Sequence, residues 1–457
     1  MGLFRLAPII CTAVFIPAAL AAEPLRDAVR HALTTNPTVA AATADAAAST
    51  YELLELQGEY EPVVSLYGDA GAQRLDDPAS LSAADNDTTQ FRRQLRMEGE
   101  FLLFDGYRRA NLVYANAARA DGSIYRLLDA SETLALNATE VYTDVVRHIR
   151  LEAAAERNLA AHRDLAARVA DLVEGGRLPV SDLLQAQDRT RAAEIALVDI
   201  RQARQDAEAR YERIVGRKPA APMSVPAASG LPASLDQLLS SAVANNYRIR
   251  VATSEVNRTA YQKGVREADR QPRVTLNYGL SYGADLDGVT GSQSDAYFGL
   301  RFSWELSRGG RQAQTEALIQ RQSQALSERH VAIREIREMA ERTWISHRSN
   351  AVKLGILDGQ LTIAQDLVAQ YGDEFLAGTR TLLDLLDAER SRFSVEFEKI
   401  SADASYTFSG YRMLAAQSRL AAFYGVDPRG AALIPNFEER ARVQPTSVFK
   451  TQLPPLE

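Results

Sequence analysis

Thiols, histidines and tryptophans are scarce in this chain of 457 residues, which has one cysteine, five histidines and two tryptophans. The cysteine, Cys11, sits in an apolar run over 6–20 that follows Arg5 and ends in Ala19-Leu20-Ala21. A basic start, a short apolar stretch and an A-x-A site before Ala22 read as a secretory signal peptide over 1–21. The run is shorter than the ~20 residues of a membrane-spanning helix. Ile10 stands where a lipoprotein signal needs a small residue, so Cys11 is not read as a lipid anchor. Removal of the signal leaves no thiol, and hence no disulfide, thiolate metal site or cysteine nucleophile.

The five histidines, His31, His148, His162, His330 and His347, form no H-E-x-x-H or other close ligand pair. Each lies in helical patterning, so packed or solvated histidine is the reading, with no metal site and no cofactor. G-x-S-x-G, Walker A and G-x-G-x-x-G are all missing. Basic excess is missing too. Fifty-nine acids against fifty-two bases give a formal charge of −7, or −8 once Arg5 leaves with the signal. That balance argues against nucleic acid as a partner. After the signal no apolar stretch approaches the ~20 residues of a spanning helix, so a membrane role has to be carried by β-strands.

What the chain does have is an internal repeat. Gly378-Thr379-Arg380-Thr381-Leu382-Leu383-Asp384-Leu385-Leu386-Asp387 echoes Gly176-Arg177-Leu178-Pro179-Val180-Ser181-Asp182-Leu183-Leu184. Leu25-Arg26-Asp27-Ala28-Val29 followed by Asn36-Pro37 resembles Leu235-Asp236-Gln237-Leu238-Leu239 followed by Asn245-Asn246. Glu61-Pro62-Val63 aligns with Gln271-Pro272-Arg273, and Leu103-Phe104-Asp105-Gly106 with Leu306-Ser307-Arg308-Gly309. The expected organisation is a first repeat over 22–216, a linker over 217–233 with Pro219, Pro222, Pro226 and Pro232, a second repeat over 234–427 and a tail over 428–457.

Within each half the apolar period switches. Residues ~25–60 and ~235–270 read as helices stopped by Pro62 and Pro272. Alternation follows. Val274, Leu276, Tyr278, Leu280 and Tyr282 oppose Thr275, Asn277, Gly279, Ser281 and Gly283, while Phe298, Leu300, Phe302, Trp304 and Leu306 oppose Tyr297, Gly299, Arg301, Ser303 and Glu305. In the first half Leu95, Met97, Phe101 and Leu103 alternate with Arg96, Glu98, Glu100 and Leu102. One apolar and one polar face fit a membrane barrel, and a soluble sandwich edge would alternate in the same way. Arg96, Glu98 and Glu100 read as solvated lumen residues before they read as a filter. The stretches 76–89 and 285–295 read as exposed acidic loops. Long helices are expected over ~107–173 and ~310–374, and shorter ones over ~180–216 and ~381–425. Ile124, Leu128, Ser131, Ala135, Ala138, Tyr142, Val145 and Ile149 mark a coiled-coil seam.

Helix, hairpin, long helix and helix, occurring twice in an exported chain, resembles the TolC family of outer-membrane channel proteins over ~23–427. The most specific match is the run from Gly378 to Asp387, which is similar to the G-T-R-T-x-x-D-x-x-D tip of secretion and efflux channels. The resemblance implies a fold that is mainly α with membrane β. A tandem-repeat protomer would form a homotrimer, with a 12-stranded β-barrel in outer-membrane lipid continued by an α-helical coiled-coil barrel across the periplasm. It implies a gate in which Arg380 bonds the Ser181 hydroxyl and the Asp182 carboxylate of another hairpin. Asp384 and Asp387 would form stacked acidic rings. Phe375 departs from the family, standing where a tyrosine can add a bond. The resemblance also implies tips that engage a periplasmic adaptor (Gly175, Gly176, Gly378, Thr379) and helix–strand swivels at Pro62, Pro272, Gly106 and Gly309. An inner-membrane ABC exporter or RND pump would supply the energy.

Asp182, Asp384 and Asp387 also fit ordinary helix-start acids stabilised by the helix dipole. As an acid/base pair Asp384 and Asp387 lack a nucleophile and pocket, so the chain reads as a non-enzyme. Cargo stays open between whole proteins in type I secretion and small molecules in tripartite efflux. A periplasmic coiled-coil scaffold is the distant alternative, and it leaves four amphipathic strands unexplained.

Overall fold

Each half opens with two helices where the sequence suggested one. In the computed structural model, which describes residues 24–79, 81–220 and 222–427, α1 (Leu25–Thr35) and α2 (Pro37–Gly58) part at Asn36, and α5 (Leu235–Asn245) and α6 (Tyr247–Ala268) part at Asn246. The signal peptide read over 1–21, with Cys11, and the tail over 428–457 lie outside the described residues. Both asparagines are extended and cap the helix that follows. The Asn36 side-chain Oδ1 accepts from the Thr38 amide at 2.9 Å, and that of Asn246 from the Arg248 amide at 3.0 Å. Pro37 at the first helical position loses no bond, because that amide has no partner in a helix. Each asparagine also donates Nδ2 to a last-turn carbonyl of a long helix, Ile214 at 3.1 Å or Ala416 at 3.3 Å. One residue type at one repeated position thus starts one helix and finishes another.

The strands β1 (Val63–Arg74), β2 (Thr89–Phe104), β3 (Arg273–Leu286) and β4 (Val289–Ser303) form one antiparallel sheet in that order. At 12 to 16 residues they exceed the roughly 9–11 that a tilted strand needs to cross a bilayer. Register aligns Leu66, Met97, Leu280 and Ala296 across the four strands, and Phe101, Leu276 and Leu300 across three. On the opposite face Tyr67, Arg96, Ser281 and Asp295 line up. The exposed loop expected over 285–295 is corrected. Asp287 and Gly288, with φ of 52° and 77°, make a two-residue turn, and the chain from Val289 is already strand. Both turn residues need positive φ in a tight hairpin, which Asp-Gly supplies. Trp304 and Leu306 lie beyond the end of β4.

Beyond the sheet run α3 (Arg108–Glu174) and α4 (Val180–Val215), then α7 (Arg311–Leu376) and α8 (Leu382–Ala416). With 67 residues, α3 is ~100 Å long. The helix expected over 381–425 is interrupted, because Ser418 takes a φ of 52° before the short α9 (Leu420–Phe423). The α3 seam from Ile124 to Val145 is buried. Its middle joins α1, the ends of α4 and α8, and α9 in one core that encloses Tyr142, Tyr211, Tyr411 and Tyr424. The linker is pinned to that core, with the Tyr411 hydroxyl donating to the Pro226 carbonyl at 2.8 Å.

Candidate functional site

At the far ends of the two helical hairpins the chain turns twice in the same way. Gly176 and Gly378 take left-handed φ of 70° and 79°, where a side chain is strained. The Arg177 amide reaches back to the Leu172 carbonyl at 2.8 Å and the Thr379 amide to that of Glu374 at 3.0 Å. These backward bonds satisfy last-turn carbonyls, as in a Schellman ending. Gly175, Gly176, Gly378 and Thr379 are all exposed.

The next helices begin differently. At α4, Pro179 occupies the cap position and its side chain makes no cap bond. At α8, Thr381 and Asp384 form a capping box. The Asp384 amide donates to the Thr381 hydroxyl at 3.3 Å, and that hydroxyl donates to the Asp384 carboxylate at 2.7 Å. This bond holds the Asp384 carboxyl below the usual carboxylate range. Asp387, three residues on, is exposed. Asp384 therefore does the work of a helix-start acid, while Asp387 has no such duty.

Arg380 is held within its own hairpin. Its Nε donates to Glu374 Oε2 at 2.9 Å, and its guanidinium carbon sits 4.1 Å from the Tyr371 ring centroid. Gln370 Nε2 donates to the other Glu374 oxygen at 3.0 Å. The Gln370 bond first, and Arg380 second, keep the Glu374 carboxyl below its ordinary range. The Ser181 hydroxyl donates to its neighbour Asp182 at 3.4 Å. Among the described residues no bond joins Arg380 to Ser181 or Asp182 of the same chain. Phe375 is buried among Leu165, Val169, Ala186, Leu382, Leu385 and Leu386. It packs the tips of the two hairpins against each other, a task for which a hydroxyl is no help.

The helix–strand joints lie at the other end. Pro62 and Pro272 immediately precede β1 and β3. Gly106 is left-handed at 66°, and a Cβ there would meet Gln271 Cβ at 2.3 Å and the Ala268 carbonyl oxygen at 2.9 Å, so no side chain fits. At the second joint the left-handed residue is Gly310 (φ 80°), the cap of α7, rather than Gly309. Its counterpart at the cap of α3 is Tyr107, with φ 68°.

Sequence reading missed Arg109 and Glu132. Arg109 is buried at the first joint, donating to the carbonyls of Glu59 and Leu102 at 2.8 Å each and pairing with Asp105 at 3.3 Å. It also lies 4.5 Å from the Tyr60 ring centroid. Burial pushes the Tyr60 hydroxyl up to about 12, with Arg109 opposing. The one available signal was Asp105 four residues before Arg109, at helical spacing. Glu132 is buried in the middle of α3 and accepts the first amides of α9, Leu420 at 2.9 Å and Ala421 at 3.1 Å. Burial pushes its carboxyl up to about 7 against those two bonds. Among the described residues no group of three or more His, Cys, Asp or Glu could hold a metal.

A family profile described as outer membrane efflux protein matches residues 238–416, most of the second repeat. The outer membrane efflux protein BepC of Brucella suis biovar 1 (strain 1330) is 27% identical over 329 residues, covering 70% of this chain and 71% of that one. The alkaline protease secretion protein AprF of Pseudomonas aeruginosa is 24% identical over 360 residues, covering 75% and 71%. The outer-membrane channel OprN superposes with a TM-score of 0.76 at 20% identity, covering 86% of this chain and 89% of that one. That likeness fixes the fold, and the stretch matched by the family profile includes the run from Gly378 to Asp387. The chain is thus similar in sequence to outer-membrane efflux and secretion proteins, and it has the fold of an outer-membrane channel.

Proposed function

We propose that the chain is one protomer of a homotrimeric exit duct, set in the outer membrane, extended through the periplasm and gated at the hairpin tips. One observation carries this reading: the sheet has a continuous apolar face that nothing among the described residues covers. Leu66, Leu95, Leu280, Tyr282, Phe298, Leu300 and Phe302 are each more than half exposed. Leaving such a side chain in water forgoes ~1.5–3 kcal/mol, so together they call for lipid. A soluble sandwich would cover this face, and among the described residues no element does. Charge lies on the other face, where Arg92 pairs with Asp69 at 2.9 Å and Arg273 with Glu100 at 3.1 Å.

Within one chain β1 and β4 are edges, and open edges are not tolerated in hydrocarbon. Two copies would give an eight-stranded barrel with a filled lumen, and three give twelve strands and room for passage. The helices support assembly as well. On α7, Ile345, Val352, Ile356, Ile363 and Leu367 recur at spacings of seven and four and are exposed. That stripe fits a neighbouring copy.

Gating follows from the tips. Ser181 and Asp182 of one copy would accept from Arg380 of the next, and the planar guanidinium suits two acceptors at once. Asp387, left free by its helix, would supply the acidic ring and attract cations. Asp384 would add to that ring only where its capping bonds allow. With no nucleotide-binding motif in the chain, transport is passive. Energy would come from an inner-membrane ABC exporter or RND pump through a periplasmic adaptor at the exposed tip glycines. Type I protein secretion and small-molecule efflux both fit, in keeping with the names that AprF and BepC carry.

Single-channel recording in planar bilayers tests the gate. Arg380→Ser and Asp182→Ala should each raise conductance well above that of the unaltered trimer, and unchanged conductance in both would overturn the assignment.

A further inference from the structure

If Arg380 is the gate tie, its guanidinium must reach an acceptor on a different copy from the end of a long flexible side chain. An unrestrained arginine samples many rotamers, and a bond across a constriction would form only part of the time. Here the side chain is restrained before any neighbour arrives. One face of the guanidinium rests on the Tyr371 ring at 4.1 Å, and its Nε is bonded to Glu374 at 2.9 Å. Both supports are themselves fixed. Tyr371 is half-buried against the tip core of Phe375, Leu385 and Leu386. Glu374 takes a bond from Gln370, and its carbonyl closes the turn by accepting from the Thr379 amide and hydroxyl, each at 3.0 Å. Among the described residues the Nη1 and Nη2 hydrogens of Arg380 have no acceptor. These two groups form the edge of the fork that engages a carboxylate bidentately.

We propose that Tyr371 and Glu374 are positioning residues of the gate, holding Arg380 so that its Nη1–Nη2 edge is presented to the acceptors of the neighbouring copy. The proposal rests on the gate reading above. Neither residue lies in the tip run from Gly378 to Asp387. Tyr371 sits one helical turn before Phe375, which has no hydroxyl to offer. Stacking thus restrains the arginine at a tip where Phe375 makes no hydrogen bond of its own. Held in this way, Arg380 loses less freedom on closure, so the closed state is favoured without any added contact between copies.

The test is single-channel recording on full-length trimers of the unaltered protein, Tyr371→Phe, Tyr371→Leu, Glu374→Ala, the Tyr371→Leu/Glu374→Ala double variant, and Arg380→Ser alone and combined with that double change. The double variant should raise the open-to-closed ratio about tenfold, the size expected from losing one exposed cation–π contact and one surface ion pair. Tyr371→Phe keeps the ring and should gate like the unaltered channel. Adding the double change to Arg380→Ser should alter nothing further, because there is then no guanidinium to place. A double variant that gates normally while Arg380→Ser opens overturns the positioning role and leaves the gate standing. Further opening in the Arg380→Ser background also overturns it, since the two side chains would then act through the packing of the tip. Failure of Arg380→Ser to open removes both. Should the double variant not assemble, the single changes decide: Glu374→Ala alone should still raise the ratio, and Tyr371→Leu should open where Tyr371→Phe does not.

Discussion

Glu132 is a carboxylate surrounded by protein, and its position makes a prediction about pH. Its carboxyl is pushed up to about 7 from an ordinary 4.5, because burial penalises the charge more than the amides of Leu420 and Ala421 favour it. A folded value above the unfolded one means the folded state holds its proton more tightly. The contribution is therefore complete below about pH 4.5 and is lost as pH rises through about 7. Over that window it is bounded by ~3 kcal/mol. The thermal midpoint of the detergent-solubilised protein should fall between pH 5 and pH 8, and Glu132→Gln should flatten the fall. An equal slope in the variant would assign the pH dependence to other groups. Glu132 was not legible in the sequence, because its partners lie 288 and 289 residues away and no spacing rule connects them. Asp384 was legible as a helix-start acid, and its capping box with Thr381, only three residues away, is the structural form of that role.

At the scale of elements the two joints differ. In the first, Arg109 bridges the end of α2, the last residues of β2 and the start of α3. In the second, the exposed Trp304 indole at the exit of β4 donates to the Arg270 carbonyl after the end of α6 at 3.1 Å. Arg311 there bonds the Glu305 carbonyl of its own connection. Arg109→Met should leave the Glu59 and Leu102 carbonyls unsatisfied at ~1–3 kcal/mol each. Hydrogen exchange should then quicken around Glu59–Val64 and Leu102–Ala110 and stay unchanged at the second joint. Equal protection at the first joint would show that Arg109 does not hold it. The strands were readable where they face lipid, because the apolar alternation is strict from Val274 to Tyr282. They were unreadable at the outer end of β4. There Gly291, Ser292, Gln293, Ser294 and Asp295 are strand without an apolar face and looked like loop. Once a strand leaves the hydrocarbon, nothing selects for alternation.

For the whole molecule, the exposed α7 stripe is the seam expected between copies. Val352, Ile356 and Ile363 are each more than 60% exposed in the single chain. Ile356→Asp would place a carboxylate in each of three equivalent interfaces, each a desolvation cost of several kcal/mol. The heat-sensitive trimer expected on a semi-native gel should be replaced by monomer, and a persisting trimer band would show that this stripe is not the seam between copies. The tandem architecture was legible from the repeated tip and the paired prolines. Which stripe closes on its own chain and which is left for a neighbour was not legible, because both carry the same heptad spacing.

The unequal joints bear on why the chain is double at all. A ring assembled from identical half-chains would have identical hinges, and loosening one to let a gate move would loosen all. Fusing two copies and letting them diverge makes alternate staves of the wall unlike. In the proposed duct the stave bolted by Arg109 would serve as a stator. If the gate lies at Arg380, Asp384 and Asp387, the stave that carries them has the less braced joint and would be the one to swing while the rest of the tube stays true.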